Sequence, residues 1–123
     1  MAVIEAPGAP EGTDRPDGRL ALAYEAVVHR LEGLGWLRQA LAVPDPAVRT
    51  GALRAVAGLH RAALRQSVIA VFGSDGVDGL GRPRLDLLPP PVEAALLGYL
   101  AGQVGVPAHE VRHAGVNRTA FGS

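Results

Sequence analysis

The chain has 123 residues, enough for one domain with a core of its own and too few for two. Twelve basic residues balance twelve acidic ones, so no net field draws it to nucleic acid or anionic lipid. Cysteine is absent, which excludes disulfides, thiol catalysis and zinc sites built on sulfur.

No apolar run approaches the ~20 residues of a membrane span. The N-terminus lacks the basic-then-apolar layout of a signal peptide. These features lead us to expect a protein of the cytoplasm, or of a particle assembled there, with no membrane partner. All the basic residues are arginine, and Ala, Gly and Pro are heavily used. That bias reads as a GC-rich coding sequence, of a high-GC bacterium or of a phage infecting one. The 48% hydrophobic content is inflated by alanine, and aromatics contribute only 4%. At about 25 cal/mol per Å² of apolar surface, such a core is thin for its length. A thin core favours completing burial against a partner, so self-association is the expectation.

Residues 1–17, MAVIEAPGAPEGTDRPD, show no sustained periodicity and read as an extended N-terminal arm ahead of a single helical domain over 18–123. A first helix is predicted from Asp17 or Gly18 to about Glu32. Leu20, Tyr24, Val27, Val28 and Leu31 share one face, with Glu25, His29 and Glu32 opposite. Gly33 and Gly35 break it, and Trp36–Ala42 forms a second short piece in which Trp36, the largest apolar group, anchors the corner.

Asp45-Pro46 is a strong helix start, an N-cap carboxylate followed by proline at the first position. The helix is predicted to run to Phe72 and stop at Gly73, with Leu53, Val56, Ala57, Leu64 and Val71 inward. His60 and Ser67 are embedded in that apolar face, while Arg54, Arg61 and Arg65 line another. Residues 73–91, GSDGVDGLGRPRLDLLPPP, form a long loop, flexible or at an interface, with a short extended piece at Arg84–Leu88. Pro90 or Pro91 starts a third main helix to Val104. Leu96, Leu97, Leu100 and Val104 fall on one side, and Ala94, Gly98 and Gly102 make a flat stripe on another, so the helix is expected to be wedged between two neighbours. A short helix or strand closes the chain.

Four constellations carry chemistry. HEVRH at 109–113 has the H-E-x-x-H form, in which His109 and His113, one helical turn apart, ligate zinc and Glu110 serves as general base. Arg112 between the ligands and Pro107 just before them argue against a zinc hydrolase, and no third ligand follows. The longer stretch Leu100–Ala114 resembles the helix-turn-helix pattern: Leu100, Val104, Val106, Val111 and Ala114 apolar, Ala101 small, and Gly105 at the turn. In a DNA-binding member the second helix presents Ala108, His109, Arg112 and His113 to the major groove. The bland alternative is the same corner used for packing alone.

His60 reads as a buried neutral imidazole bonded to a backbone group. The alternative is a metal ligand shared with Glu25, His29 or the C-terminal histidines. The loop GSDGVDGLG is neither a Walker loop nor a dinucleotide fingerprint, and Asp75 and Asp78 lack EF-hand spacing. No serine stands in a nucleophile elbow.

These readings converge on an all-α protein, a small bundle of three main helices. Its expected role is a non-enzymatic structural subunit without cofactor or metal, contacting copies of itself and neighbouring assembly proteins. Trp36, Ala94, Gly98 and Gly102 are the candidate interface. By analogy, a head–tail connector or adaptor of a phage-like particle fits, and a small helix-turn-helix DNA-binding protein is the alternative.

Overall fold

The computed structural model describes residues 16–122, including the side chains of 17–115. The predicted arm therefore lies almost wholly outside the described residues. The described residues form five α-helices, the three main ones expected together with the short second piece and the closing element: α1 (Pro16–Arg30), α2 (Leu34–Ala42), α3 (Pro46–Phe72), α4 (Pro90–Val104) and α5 (Ala108–Gly122). Among the described residues the only β pairing is a single antiparallel bridge between Val77 and Pro83. The fold is all-α.

Proline at the start and charges that match the helix dipole, Asp17 in the first turn and His29 and Arg30 in the last, set α1. Leu20, Tyr24, Val27 and Val28 are buried as their spacing requires. The helix ends two residues earlier than predicted, leaving Leu31 half-buried, and Gly33 at φ 93° turns the chain into α2.

In α2 the structure corrects the role of Trp36. Leu34, Leu37 and Leu41 make the inward stripe, and Trp36 stands about 200° from Leu34 on the helical wheel. It therefore points outward and is 73% exposed; it anchors no corner among the described residues. Arg38 from the same helix donates through Nε to the Gln103 carbonyl at 3.1 Å, tying α2 to the last turn of α4.

The long helix α3 matches the prediction at both ends. The Asp45 side chain accepts from the Ala47 N–H at 2.8 Å, Pro46 opens the helix, and Gly73 at φ 59° closes it. Its 27 residues span about 40 Å and form the spine against which the other four helices pack. Ser67 returns its hydroxyl to the Ala63 carbonyl at 2.7 Å, so its burial leaves no donor unmet.

The glycine-rich loop is held by hydrogen bonds. Asp78 Oδ1 accepts from the backbone N–H groups of Leu80 (2.8 Å) and Arg82 (3.0 Å), and Arg82 Nε reaches Oδ2 at 3.1 Å. These bonds hold Leu80 out at the tip, 77% exposed. The extended piece expected at Arg84–Leu88 is instead a 3-10 turn over Leu85–Leu87, which lets Leu88 enter the core. Buried Gly76 sits so close to α3 that a Cβ there would lie 2.9 Å from the Val68 carbonyl oxygen.

On α4, Leu96, Leu97, Leu100, Ala101 and Val104 are buried, while Ala94, Ala95, Gly98 and Gly102 are exposed. Among the described residues the helix is packed on one flank only, and the predicted second neighbour is not found there. Gly105, at φ 79°, ends α4, and the Val106 N–H bonds the Ala101 carbonyl at 3.0 Å in a Schellman-type stop. The closing element is a 15-residue helix, longer than the short helix or strand expected. Val106, Val111 and Ala114 are buried with Leu100, Ala101 and Val104, as the two-helix corner predicts.

Candidate functional site

One polar side chain from each of four helices meets at the centre of the fold. The Tyr24 hydroxyl of α1 lies 2.8 Å from His60 Nδ1 on α3. His60 Nε2 lies 2.7 Å from Glu93 Oε2 on α4, and Arg112 of α5 donates to Glu93 Oε1 at 2.8 Å. A carboxylate accepts only, so Nε2 carries the imidazole hydrogen and Nδ1 is left as an acceptor. The Tyr24 O–H then donates to it, and every partner of the imidazole is accounted for. His60 thus bonds two side chains rather than the backbone group expected from the sequence.

Burial sets the protonation states. It holds His60 below the usual imidazole value, a shift the hydrogen bond and charge of Glu93 only partly offset. Burial also pushes the Tyr24 phenol upward, with Glu93 and Tyr99 adding to the effect. For Glu93, burial alone raises the carboxyl; the hydrogen bonds from His60 and Arg112 outweigh it and leave the group below its usual range. At neutral pH the network is a neutral phenol, a neutral imidazole, a carboxylate and a guanidinium.

The order hydroxyl–imidazole–carboxylate is that of a nucleophile, base and orienting acid. Tyr24, however, has 0% exposure, so its hydroxyl cannot meet a substrate. Its ring packs edge-on to His60 (centroids 5.7 Å apart) and to Tyr99 (6.5 Å), and the Tyr99 hydroxyl lies 3.2 Å from His29 Nε2. What this arrangement does physically is fix four helices in one register.

The outer side of the network forms the wall of a cleft of about 220 Å³. His60, Glu93, Arg61 and Arg112 line it together with apolar side chains that include Leu64, Leu97 and Val111.

The two histidines and the glutamate of the HEVRH motif lie elsewhere, although its Val111 and Arg112 line this cleft. His109, Glu110 and His113 line a separate cavity of about 200 Å³ with Thr50, Leu53 and Ala114. Glu110, the would-be base, is ion-paired to Arg49, which also donates to the Leu41 carbonyl at 3.0 Å. Among the described residues no group of three His, Cys, Asp or Glu side chains is placed to hold a metal. His60 bonds Tyr24 and Glu93, neither of them among the co-ligands Glu25, His29 or the C-terminal histidines weighed from the sequence.

Of the residues assigned to a recognition helix, His109, Arg112 and His113 are exposed and Ala108 is half-buried. Arg112 is already committed to Glu93. Arg54, Arg61 and Arg65 are exposed along α3 as predicted.

Glu93 is the member of the central network that the sequence did not point to directly. Its signal was available: two residues with polar tips, Tyr24 and His60, each stand in an otherwise apolar face, and buried polar groups need partners. Glu93 lies in the first turn of α4, where the helix dipole favours a carboxylate. Comparison of the chain with protein-family models, with curated proteins and with solved structures finds no match in any of the three.

Proposed function

We propose that this protein is a non-enzymatic assembly subunit that works by packing α4 against another copy of the same chain. The observation that carries this reading is a pair of glycines that nothing among the described residues requires. Gly98 and Gly102 stand in mid-helix, exposed, at ordinary helical φ, and a Cβ at either would meet no atom within 4 Å. Each costs the helix roughly 0.8–1 kcal/mol relative to alanine.

Spaced four apart and extended by Ala94 and Ala95, they form an uncharged flat face along which a second helix can approach closely. Gly51 of α3 is equally open but stands among Thr50, Arg54 and Ala55 with no such stripe around it. Trp36 on α2 and Leu80 on its pinned loop add exposed apolar groups on ordered elements. A connector or adaptor ring of a phage-like particle is one class of assembly that uses subunits in this way.

The DNA-binding alternative has support in the α4–α5 corner and in the exposed arginines of α3. The pairing of Arg112 with Glu93 weakens it, because the carboxylate offsets charge that a phosphate contact draws on. Light scattering across a concentration series, repeated with a duplex oligonucleotide at low and high salt, separates the two. A mass that rises above one chain and is indifferent to DNA supports the assembly subunit. A single-chain mass with DNA affinity that falls steeply with salt supports the alternative.

A further inference from the structure

The cleft beside the central network carries a charge that nothing among the described residues pairs with. Two guanidinium groups, Arg61 on α3 and Arg112 on α5, face it together with the Glu93 carboxylate and a neutral His60. Glu93 is already matched: Arg112 donates to one oxygen and His60 to the other. Arg61 has no hydrogen bond or ion pair among the described residues. The cleft therefore holds a net charge of about +1, and Arg112, with five N–H donors, keeps donors beyond the one given to Glu93.

The rest of the lining is apolar, with Ala57, Leu64, Leu85, Leu97 and Val111 facing the space. A charge at the rim and an apolar floor describe a ligand with an anionic head and a hydrocarbon body. The volume, about 220 Å³, lies below the ~300–1,000 Å³ of sites for drug-sized molecules, so the ligand is small.

We infer that this cleft binds a small organic carboxylate, its body on Leu64, Leu97 and Val111 and its carboxylate between Arg61 and Arg112. The planar fork of a guanidinium suits a carboxylate in two-point contact, and two forks from different helices select a head group over a diffuse charge. Occupancy bridges α3 and α5, so the ligand adds a tie to the Arg49–Glu110 ion pair and the Glu93 contacts that already join these helices.

The experiment uses the full chain and ligand-observed saturation-transfer NMR, which tolerates any assembly state. Benzoate is the probe; benzamide is its neutral counterpart, and acetate is the head group without the body. Saturable transfer to benzoate is expected, with a dissociation constant on the order of 1 mM. Benzamide and acetate are each expected to bind at least about tenfold more weakly. Arg61→Ala removes an exposed side chain outside the core and is expected to weaken benzoate about tenfold. Absence of saturable benzoate binding overturns the assignment. Equal binding of benzamide shows that the charge plays no part, equal binding of acetate shows that the floor plays none, and an unaffected Arg61→Ala variant shows that the site lies elsewhere. Each of these also overturns it.

Discussion

Removing one oxygen atom from the centre of the fold tests the network most sharply. In Tyr24→Phe the ring and its edge-on contacts to His60 and Tyr99 remain, but the donor to His60 Nδ1 is gone. Glu93 keeps the imidazole hydrogen on Nε2, so Nδ1 is left as an unmet acceptor where the tyrosine had 0% exposure. A buried hydrogen bond is worth about 1 kcal/mol net, and an orphaned buried polar atom costs about 1–3 kcal/mol. The two terms overlap, which places the expected loss at about 1–3 kcal/mol. Thermal midpoints move by roughly 3–5 °C per kcal/mol in a chain of this length, so a drop of about 3–15 °C is expected.

The matched control is Tyr99→Phe, which breaks an exposed 3.2 Å hydrogen bond to His29. It is expected to cost under about 0.5 kcal/mol. Urea unfolding of both variants, with ¹⁵N shifts of the His60 ring reporting Nε2–H in the parent, completes the assay. If Tyr24→Phe matches the parent within about 0.5 kcal/mol, or Tyr99→Phe is equally damaging, the network as described is wrong.

Three further outcomes follow from the same structure. Burial holds His60 below its ordinary value near ~6.5, so between that value and the folded one the unfolded chain binds a proton the folded chain does not. Stability should fall as pH falls through that window and then level off, with a further loss when Glu93, held below its usual range, is protonated at lower pH. His60→Gln should flatten the first step in urea midpoints, and an unchanged slope contradicts the assignment. Gly76→Ala drives a methyl to 2.9 Å from the Val68 carbonyl oxygen and should cost about 1–3 kcal/mol in denaturant unfolding. An alanine variant of similar stability to the parent shows that the loop does not press on α3. Asp78→Ala removes the acceptor for Leu80 and Arg82, so their amide hydrogens should exchange faster while α3 core amides keep their protection. Unchanged exchange at Leu80 would show that the carboxylate does not pin the tip.

The helices were legible where local chemistry decided them. Asp45-Pro46 and Gly73 marked both ends of α3, and the 3.6-residue spacing in α1 gave four of its five inward residues. Local chemistry fails where a side chain's direction depends on which helix face the fold selects. Trp36 illustrates this: its size suggested burial, but three leucines claimed the inward stripe of α2 and left it outside. The apolar positions of the α4–α5 corner gave its packing, but they carry no signal for what the outer face of α5 touches. The central network was only half readable, because hydrogen bonds across 33 and 36 residues of sequence follow from tertiary packing and leave no local periodicity. Tyr24 and His60 were visible as polar tips in apolar faces. Glu93 looked like an ordinary first-turn acid.

The central claim is that the exposed glycines of α4 exist for another copy of this chain. Gly98→Arg and Gly51→Arg both add a long cation at an open helical glycine, and neither meets an atom of the fold at Cβ. Both remove a helix-weakening glycine, so both variants are expected to fold at least as well as the parent. Sedimentation velocity of the three proteins across a concentration series is the decisive comparison. The account predicts that the parent and Gly51→Arg associate alike and that Gly98→Arg sediments as a single chain. A parent that stays a single chain throughout, or a Gly98→Arg variant that associates as the parent does, contradicts it.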